Sequence, residues 1–467
     1  MKLLPAALAA ALALPSAANA DNAEDLAAIR KDMDAMRSAY EARLQSLEQR
    51  LQRAEAALAA TRADAVAAPP AAPTPPAAPA PAPAMSPAGS AAAGNASAFN
   101  PSISLILSGL YTRTSQDPAR YAIGGFPLPP DAEIGPGRRG FSVAESELGL
   151  AASIDPWLRG AANIAFAADN SVSVEEAYVQ TTSLGNGLSL KAGRFFSAIG
   201  YLNPQHAHTW DFVDAPLAYQ AMLGTQFDDD GVQLTWLAPL DRYLELGVEL
   251  GRGRSFPGSD AATNGAGAFA LVAHTGGDIG ESHSWRAGVS MLDAKARDQA
   301  LVATDATGNR IDRLFDGKSR VWIADAVWKW APNGNATRTN FKLQGEYLRS
   351  ARDGSVVDRI GGADIAGSGR ARQSGWYLQG VYQFMPRWRL GARTEHLDPG
   401  SVESGGGLVA FGDPHPKKDS LMLDFSPSEF SRVRLQVARD RAREGQADTQ
   451  WFLQYQVSLG AHGAHGY

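Results

Sequence analysis

Residues 451–459 read Trp-Phe-Leu-Gln-Tyr-Gln-Val-Ser-Leu, and most of them alternate between apolar and polar side chains. Successive side chains of a β-strand point to opposite faces of the sheet. The segment therefore predicts a strand with Trp451, Leu453, Tyr455, Val457 and Leu459 on one face and Gln454, Gln456 and Ser458 on the other. No stretch after residue 101 is apolar enough to cross a bilayer as a helix. A two-faced strand is the better interpretation.

Sixteen segments of this kind follow residue 101, joined by connections that are alternately short and long. A sheet with one apolar and one polar face crosses a membrane only as a closed barrel, because closure leaves no unpaired backbone group in lipid. A soluble sandwich, the alternative fold, has no reason to alternate its connections. We therefore predict an all-β fold, a 16-stranded antiparallel transmembrane β-barrel over residues 101–467. The predicted strands are 102–113, 140–154, 157–168, 172–183, 187–196, 229–238, 243–254, 266–276, 282–296, 318–331, 337–350, 371–384, 387–397, 419–426, 429–441 and 449–460.

The first hundred residues divide into three parts of different composition. Residues 1–20 combine Lys2, an apolar run and a final Ala-Asn-Ala, which is typical of a secretory signal peptide. Residues 21–64 place apolar side chains three and four positions apart among charged ones, which predicts an α-helical coiled coil in the periplasm. A single amphipathic surface helix is the alternative. Residues 65–100 are rich in Pro and Ala and predict an extended linker.

Composition narrows the possible partners of the 467-residue chain. Cysteine is absent, which excludes disulfides, thiolate metal sites and a lipidated cysteine anchor. A net charge of −6 argues against nucleic acid as a partner. The mean hydropathy of −0.21 does not exclude a membrane protein, because only half of a barrel wall faces lipid.

With the apolar face outward, the charged side chains of the strands point into the lumen. The early strands contribute mainly acidic residues and the late strands mainly basic ones, so closure of the barrel predicts an electric field across the bore. The alternative is that these charges pair and only keep the lumen hydrated. The predicted pore-lining residues are Glu145, Glu147, Glu245, Glu249, Arg389, Arg393, Arg432 and Arg434, with further lumenal charges at Lys191, Arg286, Asp325, Lys329, Lys342, Glu346 and Glu395.

The loop 197–228 is too apolar to extend into water, so we expect it to fold back into the barrel and constrict the bore. Tyr201, Trp210, Asp211 and Asp214 are the residues predicted at this constriction. His206, His208, Asp211 and Asp214 also offer imidazole and carboxylate ligands suited to zinc. Hydrogen bonds that merely anchor the loop are the alternative role for these four side chains.

No Ser/His/Asp set, P-loop or G-x-S-x-G motif occurs, so we expect no enzymatic activity and no cofactor beyond transient zinc. The chain ends on Tyr467, a terminal aromatic like those that the barrel-assembly machinery recognises. His462 and His465 in the same tail are read as solvated rather than metal-binding.

Several motifs resemble a proteobacterial outer-membrane family of porin type, close in plan to the phosphate-selective porins: FNPSISLIL (99–107), GFSVAESELGL (140–150), VEEAYVQ (174–180), LKAGRFFSAIGYLNPQHAHTWDFVDAPL (190–217) and LGAHGAHGY (459–467). Members are sometimes labelled zinc-regulated or TonB-dependent outer-membrane receptors. The resemblance implies outer-membrane transport, with a possible link to zinc supply. A TonB-dependent receptor would need a large N-terminal plug and about 22 strands, which this chain does not provide.

We therefore predict a porin of the Gram-negative outer membrane, surrounded by its lipids and passing small hydrophilic solutes or ions passively through a loop-constricted lumen. A homotrimer is expected. The alternative function is a zinc-uptake channel or receptor with His/Asp ligands in the third extracellular loop. A third class, a tether whose helix binds periplasmic partners while the barrel only anchors, would conduct no ions.

Overall fold

The computed structural model describes residues 101–261, 264–305, 309–402 and 414–460. The predicted signal peptide, coiled coil and linker lie outside the described residues, as do His462, His465 and Tyr467. Among the helices of the described ranges, none has the length and apolar content needed to span a bilayer.

The strands of these ranges form one antiparallel sheet that closes on itself, because the first strand pairs with the last. They are β1 (Ser102–Thr114), β2 (Gly140–Val143), β3 (Ser146–Ser153), β4 (Leu158–Phe166), β5 (Val172–Thr181), β6 (Leu188–Phe196), β7 (Asp228–Leu237), β8 (Tyr243–Gly251), β9 (Ala268–Ile279), β10 (His283–Thr304), β11 (Arg310–Trp330), β12 (Asn340–Ile360), β13 (Ala363–Met385), β14 (Trp388–Val402), β15 (Lys417–Ser428), β16 (Ser431–Asp440) and β17 (Asp448–Gly460).

β2 and β3 form a single strand of the wall. Both pair with β1, and only Ala144 and Glu145 interrupt them. Counted this way, the 17 strand segments make the 16 strands that the sequence predicts. The all-β, 16-stranded antiparallel barrel is confirmed.

The two faces of the wall differ as the alternation predicts. In β17, Leu453 is 47% exposed and Tyr455 is 52% exposed on the outside, whereas Gln454 and Gln456 on the inside are 8% and 3% exposed. The barrel thus turns an apolar surface outward and polar side chains inward.

The hairpins β10–β11 and β12–β13 extend well beyond the predicted strand ends at residues 296, 318, 350 and 371, where the sequence predicts long loops. Cross-strand pairing continues to Thr304↔Arg310 and Ile360↔Ala363. Polar pairs continue the ladder there, including an ion pair of 2.6 Å between Arg313 and Asp358. Loss of the apolar alternation therefore marks the end of the apolar band, not the end of the strand.

The barrel contains an apolar core in addition to its polar wall. The segment between β6 and β7, residues 197–227, folds inside the barrel and includes the helix α1 (Leu217–Leu223), all of whose residues are buried. Ile123, Phe126 and Leu128 from the β1–β2 connection join the same cluster. We call residues 197–227 the inward segment.

Candidate functional site

The inward segment begins on two buried carboxylates of the wall. Glu249 in β8 accepts hydrogen bonds from the Ser197 hydroxyl (2.5 Å) and the Ala198 amide (2.9 Å). Glu346 in β12 accepts from the backbone amides of Tyr201 (3.0 Å) and Leu202 (3.1 Å). These contacts satisfy backbone donors that would otherwise be buried without partners.

The helix α1 is held by the same kind of contact. The Leu217 amide at its first turn donates to Glu395 of β14 at 2.5 Å, and the Tyr219 hydroxyl donates to Glu346 at 2.7 Å. A carboxylate at a helix N-terminus is favoured by the helix dipole. Burial first, and the neighbouring Glu346 second, raise the pKa of Tyr219 well above its ordinary value, so the phenol stays protonated and donates.

Asp211 of the inward segment forms ion pairs with the barrel wall. Its carboxylate lies 2.5 Å from the Lys342 ammonium and 3.3 Å from Arg389. Burial alone would raise the pKa of Asp211, but Lys342 and Arg389 outweigh burial and hold it well below the ordinary value. The side chain is therefore a charged anchor.

Asp214 forms a second anchor of the same type. Its carboxylate lies 2.7 Å from Arg393, contacts the Lys418 ammonium, and accepts a hydrogen bond of 2.9 Å from Gln436. Burial would raise the pKa of Asp214, yet Lys418 and Arg393 lower it well below its usual range.

Arginines of β16 hold backbone carbonyls of the inward segment. Arg432 donates to the His208 carbonyl at 2.6 Å, and Arg434 donates to the Trp210 carbonyl at 2.7 Å. Trp210 itself is buried and donates through its indole to the Gln205 carbonyl at 3.0 Å. Tyr201 lies under the Arg286 guanidinium, 5.2 Å from the ring centre.

The predicted pore-lining residues differ in what they contact. Most of them contact the inward segment rather than open lumen; these are Glu147, Glu249, Arg389, Arg393, Arg432 and Arg434. Glu245 instead lies 3.2 Å from His274 in the neighbouring strand, and Glu145 occupies the break between β2 and β3. The sequence predicted acidic and basic arcs that face each other across an open bore. Because most of these charges contact the inward segment, the wall does not have two such arcs.

The histidines of the inward segment meet the acidic side of the barrel. Glu147 Oε2 lies 2.9 Å from His208 Nδ1 and 3.2 Å from His206 Nδ1, and the two imidazole rings stack at 5.6 Å. Glu175 and Glu176 of β5 lie 3.2 Å and 3.0 Å from the two nitrogens of His206. Burial would lower the pKa of His206, but its hydrogen bonds to the three glutamates raise it well above the ordinary value.

The four predicted metal ligands are therefore not brought together. His206 and His208 share Glu147, whereas Asp211 and Asp214 are held elsewhere by cations of β12, β14 and β15. The sequence spacing suggested a local ligand set, but the chain turns after His208 and directs the two aspartates toward a different part of the wall.

The accessible charge inside the barrel is mostly positive. Partly exposed cations on inward positions of the wall are Arg159, Lys191, Arg286, Lys329, Lys342, Arg389 and Arg432. Lys329 lies directly opposite Lys342 in the β11–β12 ladder. Among inward carboxylates, Glu245 is 31% and Glu175 14% exposed at their side chains, and Glu145 is partly exposed, while Asp424 and Glu395 are fully buried.

Four contributors to this site were missed by sequence reasoning: Glu175, Glu176, Lys418 and Asp424. Strict alternation allows only one of Glu175 and Glu176 to face inward, but a register shift between β4 and β5 leaves Glu175 unpaired and lets both reach His206. Adjacent acidic residues in a strand are a weak signal of such a bulge. Lys418 lies one residue before the predicted strand 419–426, and Asp424 lies within it. The outward positions of Leu421 and Leu423 give the phase that turns both inward.

No protein-family profile matches the chain. Solved structures similar to it include a loop L8 deletion mutant of OmpT, an outer membrane protein of Vibrio cholerae (10% identity, 78% of this chain and 100% of that chain, TM-score 0.47). Others are the anion-selective porin from Comamonas acidovorans (11%, 77% and 99%, TM-score 0.46) and the outer membrane channel DcaP of Acinetobacter baumannii (10%, 77% and 97%, TM-score 0.44).

A relative by sequence is an uncharacterized protein of Aquifex aeolicus (strain VF5). It is 30% identical over 344 residues, which cover 70% of this chain and 70% of that protein. The chain belongs to the same family as this Aquifex aeolicus protein.

Proposed function

We propose that the protein is a passive outer-membrane channel for small hydrophilic solutes, with the inward segment as its constriction. The observation that carries this proposal is the combination of an apolar exterior, a closed sheet and a charged interior narrowed by residues 197–227. Closure satisfies the backbone in lipid, and the polar inner face keeps water in the bore.

We further propose a preference for anions. The accessible inward cations outnumber the accessible carboxylates, and Lys329 lies directly opposite Lys342, whose ammonium is paired with Asp211. Rings of lysine and arginine select anions in pores because they lower the electrostatic energy of an entering anion.

The test is a reversal-potential measurement on the purified protein in planar bilayers under a KCl gradient. We expect the reversal potential to lie toward the chloride equilibrium potential, and Lys329→Gln to move it toward zero. Lys417→Gln, an exposed lysine at the start of β15, is the matched control and should change nothing. A wild-type protein without conductance would refute the channel, and a potassium preference would refute anion selectivity alone.

A second candidate function is the uptake of zinc as cargo. Its supporting observation is the group of Glu147, His206 and His208, whose ligand atoms all lie within 4.8 Å of one another. Cells carrying the double replacement His206→Ala and His208→Ala should then grow poorly under zinc starvation. Normal growth would remove this candidate.

A further inference from the structure

We propose that Glu147, His206 and His208 form a resident divalent-metal site that fixes the inward segment to the barrel wall. Only one part of this inference depends on the proposed channel function, namely the effect of the metal on the constriction. Binding of the metal itself can be tested independently of conductance.

The donor atoms have the spacing that a metal needs. Ligands of a tetrahedral zinc ion lie about 3.3 Å apart for metal–ligand bonds of about 2.0–2.1 Å. Glu147 Oε2 lies 2.9 Å and 3.2 Å from the Nδ1 atoms of His208 and His206. Small movements would place one ion between all three.

The Glu147 oxygen lies where an ion would need a ligand. Glu147 is 6% exposed, and its Oε2 atom lies between the His208 and His206 Nδ1 atoms at 2.9 Å and 3.2 Å. A buried carboxylate needs a positive or hydrogen-bonding partner. A cation held by this oxygen and the two imidazoles would be such a partner.

The surrounding side chains have the arrangement of an outer shell. His206 Nε2 faces Glu176 Oε2 at 3.0 Å, which leaves His206 Nδ1 directed at Glu147. A ligating histidine commonly gives its second ring nitrogen to a carboxylate, which orients the ring and raises its basicity. Glu175 Oε2, 3.2 Å from His206 Nδ1, is the candidate for a fourth ligand.

Two irregularities of the strands, a register shift and a strand break, lie beside these groups. The register shift in β5 turns both Glu175 and Glu176 inward, and the break between β2 and β3 occurs beside Glu147. Bulges often redirect a side chain at a functional position. Several buried carboxylates in one place also make the site negative, which favours a divalent cation.

The burial of the ligands favours an ion that stays bound, in contrast to the cargo role of the same three residues in the second candidate function. The side chains of Glu147 and His208 are each 7% exposed, and that of His206 is 17% exposed. Because β3 supplies Glu147 and the inward segment supplies both histidines, a bound metal would cross-link the segment to the wall.

The experiment titrates Zn²⁺ into chelator-treated full-length protein in detergent, measured by calorimetry. All samples carry His462→Ala and His465→Ala so that the tail does not contribute. We expect one Zn²⁺ per chain, an affinity about 10–100-fold lower for Glu176→Gln, and a larger loss for His206→Ala with His208→Ala. His396→Ala, which alters a separate histidine pair stacked on His415, is the matched control and should bind normally.

Hydrogen exchange on the same samples tests the cross-link. Zn²⁺ should slow exchange of amides in residues 197–227 in the parent protein and in His396→Ala but not in the double variant. Folding is checked by heat-modifiability on gels, and Glu147→Gln replaces the double variant if that variant does not fold. Unchanged zinc affinity in the ligand variants would overturn the site, and binding without slower exchange would overturn the cross-link. Zinc binding by a protein that conducts no ions would refute only the channel.

Discussion

At Gly200 the inward segment approaches the wall closely. Its φ angle is 66°, in the left-handed region, and a Cβ atom there would lie 2.5 Å from Glu346 Oε2 and 2.5 Å from the Tyr219 hydroxyl. Any side chain would therefore push the segment away from the carboxylate that accepts its backbone amides.

We expect Gly200→Ala to loosen the inward segment and raise single-channel conductance. The left-handed conformation costs a non-glycine residue about 1–2 kcal/mol before any clash is counted. Gly109→Ala in β1 is the control, because a Cβ atom there meets nothing within 4 Å. Equal conductance in the two variants would show that the close approach of Gly200 does not position the segment.

The charge of Asp214 links the inward segment to the late strands β14 and β15. Removing it leaves Arg393 and Lys418 buried without this partner, and breaking a buried pair in that way costs about 3–5 kcal/mol. Asp214→Asn should therefore detach the segment at neutral pH and raise conductance. Asp419→Asn, an exposed carboxylate on the same strand as Lys418, should behave as the parent protein.

The same anchors predict the pH dependence of the parent protein. Because the pKa values of Asp211 and Asp214 are lowered in the folded state, their contribution is complete above the ordinary aspartate value of about 4 and is lost as pH falls through the lowered values. Hydrogen-exchange protection of the amides around Asp211 and Asp214 should therefore be constant from neutral pH to about 4 and fall only in stronger acid. Loss of protection between pH 7 and 5 would contradict this assignment.

At the scale of elements, the inward segment, which includes α1, fills space inside the barrel wall. Deleting residues 200–222 removes all of α1 except Leu223. It also removes both aspartate anchors, and it should raise single-channel conductance in planar bilayers because the bore widens. Unchanged conductance would refute the constriction.

A tethered variant provides the complementary control for that deletion. A Cβ atom built at Gly375 of β13 lies 3.3 Å from the Ala218 Cβ atom of α1, close to the separation in a disulfide. It would also lie too close to Leu397 Cδ2, so the Leu397 side chain must shift in this variant. The chain has no other cysteine, so Ala218→Cys with Gly375→Cys forms one defined cross-link. If the segment is a fixed constriction, oxidation and reduction of this pair should leave conductance the same.

At the scale of the whole molecule, the barrel has an outer surface suited to lipid and an interior that is partly filled by its own chain. Apolar residues of the inward segment and of the β1–β2 connection form a core inside the wall. Polar anchors surround that core, so the interior has both the packing of a globular domain and the charges of a pore. The homotrimer, the periplasmic coiled coil and recognition through Tyr467 stay predictions.

The alternation of residues 451–459, repeated along the chain, was enough to predict the barrel, its strand number and which side chains face inward. That information is local, because successive side chains of any strand point to opposite faces. The inward path of residues 197–227 also followed from their apolar composition.

Only the tertiary structure decided which groups meet inside the barrel. Asp211 and Asp214 form ion pairs with lysines and arginines more than a hundred residues away in the sequence, while His206 and His208 contact Glu147 of β3. The inward turn of both Glu175 and Glu176 depends on a one-residue register shift that alternation does not reveal. Pairing of this kind is set by the closure of the barrel and by the path of the segment within it, and neither is encoded in the spacing of neighbouring residues.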